Sequence, residues 1–143
     1  MDHDIKKILC PVDFSVCSDV ALTYAIALAK RFDASIEALH VWQLSTYASV
    51  QSELAKGLED DLRKDLDAAL AKHAGEGVRI HGHLRRGVPY QVLVEAAKEL
   101  HCDIIVMGTT GKSGFEHFLL GSVAERVIRA AECPVLTVRH KGE

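Results

Sequence analysis

Aromatic residues are scarce in this chain of 143 residues: four Phe, three Tyr and one Trp, 6% of the total and scattered. That is too few for the base-stacking platform that grips single-stranded nucleic acid. Positive charge is not in excess either. The 17 Lys and Arg are outnumbered by 20 Asp and Glu, a formal net charge of −3, which removes the electrostatic case for nucleic acid or an anionic membrane as partner. No run approaches the roughly 18 consecutive apolar residues of a membrane span. The opening MDHDIKK is charged and lacks the apolar core and cleavage site of a secretory leader, so the expectation is a cytoplasmic protein. The four cysteines (Cys10, Cys17, Cys102 and Cys133) form no C-x-x-C pair, and none stands beside His at zinc-ligand spacing. Cys10, Cys102 and Cys133 lie in or beside apolar runs, as buried free thiols do in a reducing compartment.

What is present is ordinary for a globular chain: 48% hydrophobic and 26% charged residues. The length predicts one domain over residues 1–143, since domains typically run to about 100–200 residues, and it suffices for a real core. IKKILCPV (residues 5–12) reads as a buried strand ended by Pro11 and Asp13. Val20, Ala21, Tyr24, Ala25, Leu28 and Phe32 then recur at helical spacing over residues 16–32, with Ser15 or Ser18 as N-cap. ASIEALHVW (residues 34–42) is a second strand. Leu54, Leu58, Leu62, Leu66 and Leu70 mark one face of a long second helix, stopped by Gly75 to Gly77. The charges at residues 59–61 and 63–65 read as its solvated face.

Residues 78–84 alternate apolar and polar and predict a half-exposed third strand. Pro89 opens a third helix, with Val92, Leu93, Ala96, Ala97 and Leu100 inward. DIIVM (residues 103–107) is a fourth strand, too apolar for an edge. Residues 122–131 form a fourth helix, and PVLTVR (Pro134 to Arg139) a fifth strand. Strands alternating with helices predict an α/β fold, a doubly wound five-stranded parallel sheet. Right-handed crossovers give strand order 3-2-1-4-5 as the simplest solution. Ligands in such sheets sit beyond the carboxyl ends of the strands where the order reverses. Here that means Pro11-Val12-Asp13 and the glycine-rich stretch from Met107 to Val127.

That stretch ends one phrase in Gly111-Lys112-Ser113, yet it is not a P-loop. G-x-x-x-x-G-K-[ST] requires Gly at 106, where the chain has Val. G-x-G-x-x-G fails as well, because no G-x-G follows the first strand. A phospho-receiver fails too: Leu84-Arg85-Arg86 stands where a phosphorylated Asp would end the third strand. What remains is G-x2-G-x9-G-S, built from Gly108, Gly111, Gly121 and Ser122. Gly108 is expected to turn the chain off its strand and leave room for a ligand. Gly121-Ser122 opens a helix whose unpaired N–H groups and dipole favour an anion.

This spacing resembles the nucleotide-binding branch of the universal stress protein family, whose pattern is G-x2-G-x9-G-[ST]. ILCPVDFS, ALHVW and ECPVLTVR resemble the family's opening, second and closing strands, so the resemblance covers essentially the whole chain. It implies a flavodoxin-like (adenine nucleotide alpha hydrolase-like) domain that binds ATP, usually with a divalent ion such as Mg2+. By motif position it implies that Pro11, Val12, Asp13 and Val41 surround adenine and ribose, Val41 through its main chain. Met107, Gly108, Thr109, Gly111, Gly121, Ser122 and Val123 are implied to hold ribose and phosphates. The resemblance also implies a homodimer through the fifth strand, which the sequence supports independently: VLTV carries no charge to protect an exposed edge. The expected role is that of a stress sensor or regulator. The alternatives are a slow ATP hydrolase or phosphotransferase, for which no base stands out, and a dimeric interaction module without nucleotide.

Several of these residues have plainer uses. Ser122-x-x-Glu125 spells a capping box, whose hydroxyl serves either the Glu125 N–H or a phosphate. Asp13 serves either a ligand or its own loop amides. Lys112 and His117 stand near the phosphate position or in solvent. His81-x-His83 puts two imidazoles on one strand face, with no Cys or carboxylate expected to complete a metal site.

Overall fold

The computed structural model describes residues 3–43, 52–110 and 120–140. Strands and helices alternate: β1 (Lys7–Pro11), α1 (Val16–Phe32), β2 (Ser35–Trp42), α2 (Ser52–Ala71), β3 (Ile80–Arg86), α3 (Pro89–Glu99), β4 (Ile104–Gly108), α4 (Ser122–Ala130) and β5 (Val135–Val138). All strand pairings are parallel, and the order is β3-β2-β1-β4-β5 as the alternation predicts. Among the described residues no helix is long and apolar enough to cross a membrane.

The period-two alternation of side chains on a strand divides the core into two layers. Ile8, Cys10, Ile36, Ala38 and Val106 face α1 and α2. Leu9, Leu39, Ile105 and Met107 face α3 and α4, where Leu93, Ala96, Ala97 and Val127 meet them. Burying a Leu or Ile side chain fully contributes about 1.5–3 kcal/mol, so these central strands, apolar on both faces, hold the domain. Burial also pushes the Cys10 thiol up to about 12. All four cysteines are free, with Cys133 half-buried and the others buried.

Two helices depart from the expected faces. In α1 the buried stripe is Ala21, Leu22, Ala25, Ile26 and Ala29; Tyr24 and Phe32 point outward, 55% and 43% exposed. Small residues let α1 lie close against the sheet, so its larger side chains go to the rim. In α2 only the C-terminal part of the leucine stripe is anchored: Leu66 is fully buried while Leu54 is 54% exposed. That helix stops at Ala71, and a single 3-10 turn (Ala74–Glu76) follows before Gly77 at φ +78°. The charged residues 59–61 and 63–65 are exposed as expected.

The sheet opens where its order reverses. β1 pairs with β2 from Lys7 through Pro11, but with β4 only at Ile8 and Leu9. β4 meanwhile continues beside β5 as far as Gly108 and Val138. Past Leu9 the two central strands therefore part, and the chain after each turns to one side of the gap.

Candidate functional site

A crevice of about 600 Å3 occupies that gap, within the range of small-molecule sites, roughly 300–1,000 Å3. It brings together Pro11, Val12, Asp13, Val41, Met107, Gly108, Thr109, Gly121, Ser122 and Val123. Gly111, Lys112, Gly114 and His117 lie outside the described residues. The sequence reading did not include Leu39, Pro89 and Leu93, which supply much of the apolar wall. Leu39 alternates with Val41 on one face of β2. Pro89 and Leu93 lie at the start of α3, the helix that covers this face, so the topology held a signal for all three.

The turn between β1 and α1 is fastened by side chains. The Asp13 carboxylate accepts hydrogen bonds from the Ser15 main-chain N–H (3.0 Å) and from the Ser15 hydroxyl. Ser15 Oγ in turn caps α1 by accepting from Ser18 N–H at 3.1 Å. Ser18 Oγ donates to the Ser15 carbonyl and accepts from Asp13 N–H. Phe14, between them, has φ +65°, a left-handed conformation that costs a non-glycine residue roughly 1 kcal/mol or more. The network holds it there. Asp13 thus serves its own loop while also lining the crevice.

The opposite wall is fastened by main chain. Thr109 N–H donates to Val138 O (2.9 Å), and Gly121 N–H returns to Thr109 O (2.5 Å). The glycine loop leaves and re-enters through that neck. A Cβ on Gly121 would sit 3.1 Å from the Thr109 carbonyl oxygen, so the bare residue allows a close approach that a side chain would crowd. Gly108 lines the crevice and has a further role beside the expected one. It is the last residue of β4, and a Cβ there would lie 2.7 Å from Cys17 Sγ; its bareness lets α1 approach the sheet. The Cys17 thiol donates to Val138 O at 3.6 Å. Burial raises the pKa of this thiol, but hydrogen bonds from Thr110, His140 and Thr109 outweigh it and leave the net shift downward.

Gly121 is the N-cap of α4, and among the described residues no side chain caps the helix. The capping-box reading of Ser122 and Glu125 is therefore overturned. Glu125 N–H bonds to the Gly121 carbonyl in the ordinary helical way, and the Glu125 carboxylate turns to Arg129 at 2.9 Å. Ser122 stands one residue too late to cap, because the N-cap must precede the first helical residue. The first turn of α4 thus presents main-chain N–H groups and the positive end of a dipole to the crevice. α3 also starts here, but Pro89 at its first position has no N–H to offer.

The donor set fits a phosphate chain with a cation. Among the described lining residues there is no Lys or Arg, while Asp13 and Glu125 are carboxylates. An anion placed here would meet main-chain N–H groups and the positive end of the helix dipole. Among the described residues no group of three or more His, Cys, Asp or Glu is placed to hold a metal by itself. Mg2+ is ordinarily held by one or two carboxylates together with a ligand's phosphates.

A second polar cluster lies away from the crevice and corrects the reading of His81 and His83. A carboxylate does meet them: Glu37, buried on β2, contacts His81 Nδ1 at 3.2 Å and His83 Nε2 at 2.6 Å. Burial acts to raise the pKa of Glu37, but the hydrogen bonds and charge of His83 and His81 prevail and hold it below its ordinary 4.5. Arg85 and Arg86 belong to β3; Arg85 pairs with Glu99 at 2.6 Å, and Arg86 lies over the Trp42 ring.

Residues 4–139 match the profile of the Universal stress protein family. This chain belongs to that family. It is 43% identical over 139 residues to Universal stress protein MJ0531 of Methanocaldococcus jannaschii, covering 94% of this chain and 82% of the relative. The solved structure of MJ0577, a universal stress protein of the same organism, superposes with a TM-score of 0.87 at 31% identity. That match covers 98% of this chain and 99% of the other. A universal stress protein solved in complex with cAMP superposes at 0.75, with 25% identity over 97% of this chain and 99% of that one. The universal stress protein fold accounts for the strand order and for the crevice at its reversal.

Proposed function

We propose that the chain binds an adenine nucleotide, ATP with Mg2+, in this crevice and acts in the cytoplasm as a nucleotide-dependent stress sensor or regulator. The observation that carries the reading is the pairing, in one cavity, of an apolar wall with a helix N-terminus whose own cap residue, Gly121, has no side chain. Leu39, Val41, Leu93 and Met107 suit a purine; the first turn of α4, reached past the bare Gly121, suits phosphates. The cAMP complex of a related protein supports adenine-nucleotide chemistry in this fold. In this reading Val41 meets adenine through its main chain, Asp13 contacts the nucleoside end, and Gly121, Ser122 and Val123 hold phosphate. The divalent ion accompanies the phosphates. The whole chain, residues 1–143, acts as one domain.

The test begins with purified protein, heated to release what it carries, and the absorbance and mass of the supernatant. Adenine nucleotide is the expected content. Added Mg-ATP should stabilise the folded protein by about 2.7 kcal/mol at a hundred times Kd. A nucleotide-free protein whose melting temperature ignores ATP overturns the reading.

The same proposal extends to assembly. β5 closes one side of the sheet and has no neighbouring strand beyond it among the described residues. Leu136 on β5 and Ile128 on α4 are 39% and 44% exposed. Antiparallel pairing of Pro134 to Arg139 with a second copy covers this edge and forms a two-fold dimer. Sedimentation at micromolar concentration should give a dimer, and a clean monomer contradicts it.

A further inference from the structure

His40 is 9% exposed and points into the apolar layer beneath α1 and α2, on the same face of β2 as Ile36 and Ala38. A polar ring buried there needs a partner. Its Nδ1 lies 2.6 Å from the carbonyl oxygen of Val12. An acceptor at that distance requires that Nδ1 carry the proton. The Phe14 ring closes over the imidazole with centroids 4.6 Å apart, so His40 holds the β1–α1 turn at two successive points.

The position of this bond in the ladder matters. The pairing of β1 with β2 runs through Pro11 and Leu39, and its last main-chain rung is Val12 N–H to Leu39 O at 2.9 Å. The next acceptor in register is the Val12 carbonyl, and the next donor on β2 facing it is Val41 N–H. The imidazole of His40 meets that carbonyl instead. β1 is thereby released from β2 after residue 12, and Val41 lines the crevice.

We propose that His40 is a positioning residue for ligand binding: by taking the Val12 carbonyl it keeps the main-chain edge of Val41 open to the purine and fixes the turn that carries Asp13. The inference rests on the nucleotide reading above. It touches no ligand itself and acts only through Val12 and Phe14.

Three proteins test it: the wild type, His40→Asn and His40→Leu. Asparagine brings an amide N–H close to the place of Nδ1, and leucine fills the space without a donor. Calorimetric titration with adenosine and with Mg-ATP should show both affinities falling by about tenfold in His40→Leu, the scale of one buried hydrogen bond. His40→Asn should restore them to within about threefold of wild type. In the ligand-free wild type, NMR should show a scalar coupling across the bond from His40 Nδ1–H to the Val12 carbonyl carbon. Equal binding by wild type and a folded His40→Leu overturns the inference and leaves the nucleotide site standing. Equal weakness of folded His40→Asn and His40→Leu also overturns it, since ring volume would then be what matters. If the leucine variant does not fold, the asparagine titration and the wild-type coupling decide: near-native affinity with the coupling present supports the role, and loss of either removes it. A wild type that binds no adenine compound removes the nucleotide reading and this inference together, and the coupling then reports a purely structural bond.

Discussion

α1 and α4 both begin at the crevice, yet only α1 is closed by its own sequence. Ser15 Oγ accepts from Ser18 N–H, and Asp13 and Ser18 brace the same turn. At α4 the equivalent position is Gly121, which has no side chain to give. Side-chain caps are worth about 0.5–2 kcal/mol, and leaving one out is a cost to folding. Here that omission places main-chain N–H groups and a dipole end at an apolar cavity that the sheet topology has opened. One terminus is used for stability and the other is available to a ligand.

The comparison breaks most sharply at Gly121. A Gly121→Val side chain meets the Thr109 carbonyl and stands in the approach to Ser122 and Val123. Mg-ATP affinity should fall by at least about a hundredfold, or 2.7 kcal/mol, with the circular dichroism spectrum retained. Unchanged affinity in calorimetry removes α4 from the site.

A buried network outside the crevice sets the scale for a purely structural one. Glu37→Gln should cost about 1–3 kcal/mol at neutral pH in urea denaturation, because a buried charged acceptor of two imidazole hydrogen bonds is lost. Since the folded pKa of Glu37 lies below its ordinary 4.5, its stabilisation is full above that value. It fades as pH falls through the lowered one. The gap between wild type and Glu37→Gln should therefore close in acid; a gap that widens below pH 4.5 contradicts the assignment. Mg-ATP affinity in this variant should stay at the wild-type level.

Removing the cation acts on the open terminus alone. With EDTA in place of Mg2+, ATP affinity should drop by about tenfold, because the described lining offers the phosphates no Lys or Arg in place of the ion. Adenosine affinity should not change. ATP binding indifferent to EDTA contradicts a role for the cation beside the phosphates. The smallest change is Ser15→Ala, which opens the closed terminus. It should cost about 1 kcal/mol of stability while ATP affinity shifts by less than about threefold, within a few tenths of a kcal/mol. A larger loss of binding than of stability would mean that α1 also holds ligand.

Much of this architecture was legible because each element carries its own period. The apolar runs around Ile8, Ile36 and Ile105 needed no partner to be recognised as strands, and strand order followed from crossover handedness. Alternation was less informative for α1: Tyr24 and Phe32 shared the helical period with the buried alanines, yet both are exposed. The crevice was legible through topology, which places the ends of β1 and β4 together whatever the side chains. What the chain did not disclose were contacts distant in sequence. Glu37 meets His81 and His83 across two strands and more than 40 residues. The bareness of Gly108 answers Cys17, and the Gly121 cap depended on whether the helix began one residue before Ser122 or at it.

The central claim is that the uncapped start of α4 and the edge of Val41 grip the two ends of one nucleotide. A titration of Mg-ATP into nitrogen-15-labelled protein, followed by amide NMR, tests it most directly. The account predicts the largest amide shifts at Gly121, Ser122, Val123 and Val41, with Ser18 and Asp19 at the capped start of α1 much less affected. Shifts centred on α1 or on the exposed β3 edge, or none at saturating nucleotide, would contradict it.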